Sequence, residues 1–242
     1  LRHPPSRGAV RPRAGPERGA GAGPTPLPDH PVKGASPQDI LEGLIKAGRG
    51  PQLNDSVARE FLTDGFRNKW NPNAGALISS SPILPATLGD NELQIAVSVS
   101  AEVDAAGQYT NYVDAPSKPL QFHVQKDSKG QWRISSAPDG TVLTPNRFAS
   151  FFHSYDLYFF DPTFQYLVPD RRWFADGTQV PSRIVTGLLA GPPEWLKGVV
   201  FAAFPSGAEL PGAPQTESSP ATARLPAHVP PLLGRARGRV PA

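Results

Sequence analysis

Neither cysteine nor methionine occurs among the 242 residues of the chain. The absence of cysteine excludes disulfides, thiolate metal sites and a cysteine nucleophile. The absence of methionine means that the chain does not begin at a start codon, so we expect a processed product or a fragment. No apolar run reaches the roughly 18 residues of a transmembrane helix, and the N-terminus lacks the apolar core of a signal peptide. Any export signal is therefore expected to have been removed.

Hydrophobic residues are scarce and proline is abundant, which predicts a globular part flanked by segments that bury little. Hydrophobic residues make up 38% of the chain, and there are 30 prolines. The net charge is +4 over residues 1–35, +2 over residues 206–242 and −3 over residues 36–205. The basic charge belongs to the ends of the chain, and the acidic middle disfavours a nucleic-acid surface.

The two ends of the chain resemble each other in composition. Residues 1–35 are rich in proline, glycine and arginine and contain no aromatic residue, so we predict a disordered tether. Residues 206–242 are similar, and two interpretations stay open for them. They form a disordered tail that contacts an anionic surface, or they are an out-of-frame reading of a GC-rich gene.

Two short helices are predicted at the start of the folded part. Ser36 suits a helix N-cap and Pro37 the first helical position. The apolar residues that follow fall on one helical face: Ile40, Leu41, Leu44 and Ile45. The pattern restarts after a cap at Asn54 or Asp55. Its apolar side is formed by Val57, Ala58, Phe61 and Leu62 and is closed over by Phe66 and Trp70.

The periodicity then changes to that of strands. Residues 92–103 alternate between apolar and polar side chains except at Ala96, which is typical of a half-buried strand. A turn at residues 104–107 leads to a second strand over residues 109–113, and two further strands carry Phe122 and Trp132. The pattern predicts an α+β domain over residues 36–145, with helices packed on a curved antiparallel sheet.

A second, truncated α+β unit is predicted over residues 146–205. A helix capped by Thr144 and begun by Pro145 precedes the segment SYDLYFFDPTFQYLVP. Aromatic residues on both faces predict a central strand with a buried aromatic core, then a turn at Asp161 and a partner strand. A helix follows and ends at Gly191. Because no aromatic residue follows Phe204, we expect only part of a domain.

No group of residues has the spacing of a catalytic or metal site. The histidines (positions 3, 30, 123, 153 and 228) are scattered, and no P-loop, H-E-x-x-H, G-x-S-x-G or Rossmann fingerprint is present. His123 falls on the polar face of a strand and is expected to be solvated, and the serines at 79–81 predict a loop. Asp170, Arg171 and Arg172 are expected to end a strand and pair at the surface, not to act in catalysis. We assign no catalytic, cofactor-binding or metal-binding residue.

A ligand-binding module is the alternative to a protein-interaction module. A curved sheet over helices often encloses a pocket, and Trp70, Phe122 and Trp132 are candidates to line it. The same residues suit a core equally well. A hydrolase is the least favoured class, because the sequence supplies no nucleophile–base pair.

Several motifs spread over about residues 36–210 occur together in one known family. They are the strand and turn WRISSAPDG, the segment FASFFHSYDLYFF, the turn VPDRRWF, the helix end LLAGPPEWL and the run FPSGAEL. The segments ASPQDILEGLIKA and AREFLT at the start of the folded part belong to the same set. With these motifs the chain resembles the actinobacterial LpqB lipoproteins.

The resemblance implies a secreted, lipid-anchored protein with an N-terminal α+β domain, a GerMN domain and a C-terminal propeller-like region. It also implies a non-enzymatic accessory of the MtrA/MtrB two-component system, which contacts the sensor kinase MtrB at the extracytoplasmic face of the cell membrane. The cysteine of the lipid anchor is absent, the GerMN domain is cut near Leu210 and the propeller-like region is missing, so we expect a fragment or a frameshifted product. The alternative function is a module that binds a cell-envelope glycan or lipid.

Overall fold

The computed structural model describes residues 29–48, 56–177 and 179–204, which form two α+β units in contact with each other. The first unit has a seven-stranded sheet and two α-helices, and the second has a two-stranded sheet and two α-helices. The predicted α+β class is confirmed. The predicted tail and most of the predicted tether lie outside the described residues, and the domain boundaries stay a prediction.

The first sheet is built around one long strand. Its strands are β1 (Gly75–Ser79), β2 (Pro85–Gly89), β3 (Glu92–Asp104), β4 (Tyr109–Asn111), β5 (Ser117–Lys126), β6 (Trp132–Ser136) and β7 (Thr141–Leu143). The order is β6–β5–β3–β1–β7, with β2 and β4 also paired to β3. All pairings are antiparallel except the parallel pairing of β1 with β7. The predicted meander did not include β1, β2 or β7, which are three to five residues long.

The predicted alternation of β3 is confirmed. Its apolar residues are buried: Leu93, Ile95, Val97, Val99, Ala101 and Val103. Strand β3 is paired along both edges, with β1 and β2 on one side and β4 and β5 on the other. Its first half packs against the helices, and its second half packs against the second unit.

Helix α1 (Pro37–Ala47) begins as the sequence predicts. The Ser36 hydroxyl accepts a hydrogen bond from the Asp39 amide, and the Asp39 carboxylate accepts one from the Ser36 amide. The hydrogen bond from the Ser36 side chain lowers the pKa of Asp39. Three of the four predicted apolar residues are buried against the sheet, whereas Ile45 is half-buried.

Helix α2 (Ser56–Glu60) is shorter than its apolar pattern predicts. Phe61 and Leu62 are buried as expected, but they lie beyond the end of the helix. The Ile134 amide donates to the Phe61 carbonyl, and the Thr63 amide donates to the Ile134 carbonyl, both at 2.9 Å. Residues 61–63 therefore leave the helix because they pair with the edge of β6. The predicted caps at positions 54 and 55 lie outside the described residues.

The second unit contains α3 (Pro145–Phe151), β8 (Phe152–Phe160), β9 (Leu167–Ala175) and α4 (Val180–Leu189). Thr144 caps α3, and Pro145 is its first residue, as predicted. Strands β8 and β9 form an antiparallel hairpin through a turn at residues 161–166. Across the three described ranges, no helix is both long and apolar enough to cross a membrane.

Within the described residues, β8 is not the central strand with a buried aromatic core that the sequence predicts. Within the described residues β8 pairs along its length only with β9, and a single bridge joins Phe160 to Phe201 on its other edge. The inner face buries Leu157 and Phe159 against α4 and residues 196–200. Tyr158 on the outer face is 50% exposed. Aromatic residues occupy both faces because the inner face forms a core, whereas on the outer face Phe152 stacks on Phe148 and Phe160 contacts Phe164.

Candidate functional site

Three histidines of the described residues each pair with one carboxylate at the surface. His123 lies 3.6 Å from Glu92, and His153 lies 2.9 Å from Asp176. The third pair, His30 with Glu60, has a separation of 2.7 Å. His123 is exposed, as its position on a polar strand face predicts. No group of three or more histidine, aspartate or glutamate side chains with the geometry of a metal site occurs in the described ranges.

The three serines belong partly to a strand and partly to a bend. Ser79 is the last residue of β1 and is buried, whereas Ser80 and Ser81 form the predicted loop. The Ser79 hydroxyl donates to the Ser81 carbonyl at 2.8 Å, and the Ser81 hydroxyl lies 3.1 Å from that of Ser98. These hydrogen bonds hold the bend against β3. Their partners are a carbonyl and a hydroxyl group, neither of which is a general base that could activate a serine.

Asp161 organises the turn between β8 and β9, as predicted. Its carboxylate accepts hydrogen bonds from the amides of Gln165 and Tyr166, both at 2.8 Å, and from the hydroxyl and amide of Thr163. These donors, the Thr163 hydroxyl first, lower the pKa of Asp161 to about 2. The ionised carboxylate therefore holds the hairpin tip in one conformation.

Asp170 and Arg172 form a buried ion pair, and the prediction of a surface pair at the end of a strand is wrong for them. Arg172 is 0% exposed and donates to the Asp170 carboxylate, to the Ala106 carbonyl at 2.9 Å and to the Gly191 carbonyl at 3.4 Å. Both residues lie on the inner face of β9, two positions apart. Arg171 on the other face pairs with Asp156 at the surface, as predicted.

The interface between the two units is aromatic and closely packed. The Trp173 ring lies 5.9 Å from that of Tyr109 and 5.3 Å from that of Phe148. The Trp173 amide donates to the Gly107 carbonyl at 2.7 Å. Gly107 has a φ of 81°, and a Cβ atom there would lie 2.7 Å from Cε1 of Phe174. Glycine at this position allows the turn between β3 and β4 to touch the second sheet.

An exposed apolar surface lies at the tip of the β8–β9 hairpin. Leu167, Phe160 and Phe201 are backbone neighbours in that order, so their side chains share one face. The Phe164 ring stacks on Phe201 with 5.6 Å between centroids and lies 5.6 Å from Phe160. Phe164 is 55% exposed, and Leu167 and Phe201 are similarly exposed. We call these four residues the hairpin-tip patch.

A cavity of about 290 Å³ lies between the C-terminal end of α1 and the first sheet. Trp70 and Phe122 line it, as the sequence predicts for a ligand-binding module. Trp132 does not line it, and its ring instead contacts Lys126, whose Nζ atom lies 5.2 Å from the ring centroid. Charged residues at the mouth were not predicted, because sequence alone does not bring Glu102, Lys118 and Asp139 together.

Comparison with known proteins supplies two family matches. The family described as "Lipoprotein LpqB, N-terminal domain" matches residues 30–149. The family Germane, described as "Sporulation and spore germination", matches residues 156–230 and so continues past the last described residue. No solved structure matches the chain.

Curated relatives named "Lipoprotein LpqB" are similar over most of the chain. The chain is 27% identical over 199 residues to that of Rhodococcus jostii, which covers 81% of this chain and 33% of the relative. It is 30% identical over 174 residues to that of Nocardia farcinica, with coverages of 70% and 28%. It is 30% identical over 181 residues to that of Mycobacterium tuberculosis, with coverages of 73% and 30%. The chain thus spans about a third of the length of these relatives. Both family matches and these relatives agree with the motifs in the sequence, and the chain belongs to the LpqB lipoprotein family.

Proposed function

We propose that the chain is a non-enzymatic part of an extracytoplasmic, membrane-anchored lipoprotein that modulates a two-component system. In this proposal it contacts the extracytoplasmic domain of a sensor histidine kinase of the MtrB type. The name of the relatives supports the anchoring. The resemblance described above supplies the identity of the partner.

The hairpin-tip patch is the observation that carries the protein contact. Its four side chains are contiguous, and three of them are about half exposed. Contiguous exposed apolar surface on a soluble domain commonly marks a protein-interaction site, and aromatic residues supply much of the binding energy at such sites. The hydrogen bonds of Asp161 hold the turn that carries Phe164, so little conformational entropy is lost when a partner binds.

The contact between the two units supports a role in transmission. Arg172, Trp173 and Gly107 join the second sheet to the turn between β3 and β4. A partner that binds the hairpin tip is therefore connected, through these contacts, to the first unit as well.

The test is binding of the full-length lipoprotein to the purified extracytoplasmic domain of the kinase, with and without Phe164→Ser. We expect the substitution to weaken binding at least tenfold, because an aromatic anchor in the centre of the patch is lost. Val113→Ser is the matched control, since Val113 is 92% exposed in the first unit and its loss should leave binding unchanged.

Thermal unfolding of the same variants completes the test. We expect Phe164→Ser to leave the Tm close to that of the wild type, because the ring is solvent-exposed. Unchanged kinase binding by Phe164→Ser would contradict the proposal. A large fall in Tm would also contradict it, because the patch would then be covered within the protein itself.

A further inference from the structure

One side of the cavity of the first unit is lined by apolar side chains and forms its floor. Six side chains from α1, the loop after α2 and three strands (β1, β5 and β7) form the floor: Leu44, Trp70, Leu77, Leu120, Phe122 and Val142. Leu44, Trp70 and Phe122 are themselves buried, so the floor belongs to the core and is preformed. The Trp70 indole nitrogen donates to the Pro138 carbonyl at 3.1 Å, which fixes the ring against the cavity wall. The volume of about 290 Å³ is roughly twice that of a cavity that holds benzene.

The mouth of the cavity is acidic. Glu102, Asp104 and Asp139 line it together with one cation, Lys118. Lys118 lies 3.9 Å from Glu102, so the positive charge is shared with an acid of the same mouth. Among the described residues, no cation lies within ion-pair distance of Asp104 or Asp139. The lining therefore carries three negative charges against one positive charge.

Two glycines bring the unpaired acids to the same opening. Gly75 is the register partner of Asp104, and a Cβ atom on Gly75 would lie 2.7 Å from the Val103 carbonyl oxygen. A Cβ atom on Gly140 would lie 2.8 Å from the Gly75 carbonyl oxygen. The close approach of these backbones places Asp104 on one side of Gly75 and Asp139 on the other.

The acids are also fixed in orientation. The Asp104 Oδ1 atom accepts from the amides of Ala106 and Gln108 at 2.9 and 2.8 Å, and the Asp139 Oδ1 atom accepts from the Asn71 amide at 2.8 Å. In each carboxylate these bonds use one oxygen atom. The second oxygen remains able to accept a hydrogen bond from a ligand.

We propose that this cavity binds a small organic cation with an apolar body of roughly ten non-hydrogen atoms. The body occupies the apolar floor, and the ammonium group lies at the mouth between Asp104 and Asp139. An anionic ligand is disfavoured, because like charges at the mouth would repel it. A neutral ligand of the same shape gains the apolar contacts without the charge contacts. The site is separate from the hairpin-tip patch, so the proposal is independent of the kinase contact.

Three probes of matched shape and different charge test the proposal: 3-phenylpropylammonium, 3-phenylpropan-1-ol and 3-phenylpropionate. Each is titrated into the isotope-labelled chain, and amide and indole N–H signals are followed by NMR. We expect the ammonium probe to shift the signals of the Trp70 indole, Gly75 and Gly140 with a millimolar or lower dissociation constant. We expect it to bind at least about fivefold more tightly than the alcohol, and more weakly as salt is added.

The double variant Asp104→Asn/Asp139→Asn separates charge from shape. Asparagine keeps the Oδ1 acceptors, so the fold is retained, and the preference for the ammonium over the alcohol should be lost while alcohol binding is kept. In the wild type, binding of the anionic probe as tight as that of the cation would overturn the proposal. So would the absence of shifts at Trp70 with all three probes, or a cation preference that survives in the double variant.

Discussion

Arg172 of the second sheet donates a hydrogen bond to the backbone carbonyl of Ala106 in the first unit, with 2.9 Å between Nη1 and the oxygen atom. The same guanidinium pairs with Asp170 and reaches the Gly191 carbonyl after α4. One fully buried side chain thus connects the turn after β3, strand β9 and the end of α4. Specific hydrogen bonds and close packing therefore hold the two units together.

Replacement of Arg172 by methionine should lower the free energy of unfolding by about 3–5 kcal/mol, because Asp170 would remain as an unpaired buried charge. Urea denaturation measures the change. The double variant Arg172→Met/Asp170→Leu should recover part of the loss, since it removes the uncompensated charge. Arg171→Met is the control, because Arg171 pairs with Asp156 at the surface and should change the midpoint far less. Equal effects of the two methionine variants would contradict the structural role of Arg172.

Replacement of Gly107 by alanine should destabilise the protein more than the same change at Gly130. Both glycines have positive φ values, 81° and 72°, so alanine costs about 1–2 kcal/mol at each. Only at Gly107 does the new Cβ atom meet other atoms, Phe174 Cε1 at 2.7 Å and the Trp173 carbonyl oxygen at 3.0 Å. We expect Gly107→Ala to lose at least about 1 kcal/mol more in urea denaturation. Similar losses would mean that the two units do not touch there.

The turn at the hairpin tip should confer stability that depends on acid pH. The pKa of Asp161 in the folded state, about 2, is below the ordinary value of 3.8. Its contribution is therefore fully present above pH 3.8 and is lost as the pH falls through about 2. Asp161→Asn should lower the urea midpoint near neutral pH, and its difference from the wild type should shrink through this acid range. Asp90→Asn, in the exposed turn after β2, controls for the loss of a negative charge. A pH-independent difference would contradict the assignment.

Tyr112 should ionise only at higher pH than an ordinary tyrosine. Its hydroxyl donates to Glu102 at 2.8 Å, and this hydrogen bond raises the pKa of Tyr112 above the ordinary value of 10.0. The stabilisation is present below pH 10 and is lost as the pH rises through the raised pKa. Glu102→Ala should shift one phenolate, measured by its absorbance, back towards the ordinary range. Superimposable titration curves for the wild type and the variant would count against the hydrogen bond.

The elements with a long or capped pattern could be predicted from the sequence. The alternation of β3 and the Ser36 cap of α1 are local properties of the chain, and the structure keeps both. Helix α2 ends early because residues 61–63 form hydrogen bonds with Ile134, which lies far along the chain. Strands β1, β2 and β7 are only three to five residues long and were not predicted from the sequence. Strands β1 and β7 pair with each other although they lie far apart in the chain, and no local pattern encodes that pairing.

The sequence by itself determined the α+β class, the turn at Asp161 and, through its motifs, the family. Tertiary structure alone decided the environment of residues that look alike in sequence. Arg171 and Arg172 are adjacent, yet one is at the surface and the other is completely buried, because successive side chains of a strand point to opposite faces. Likewise Phe159 belongs to the core and Phe160 to the hairpin-tip patch. Asp104 and Asp139 line the same cavity because glycines at 75 and 140 let backbone segments that are distant in sequence lie close together. No pattern within either segment encodes this approach.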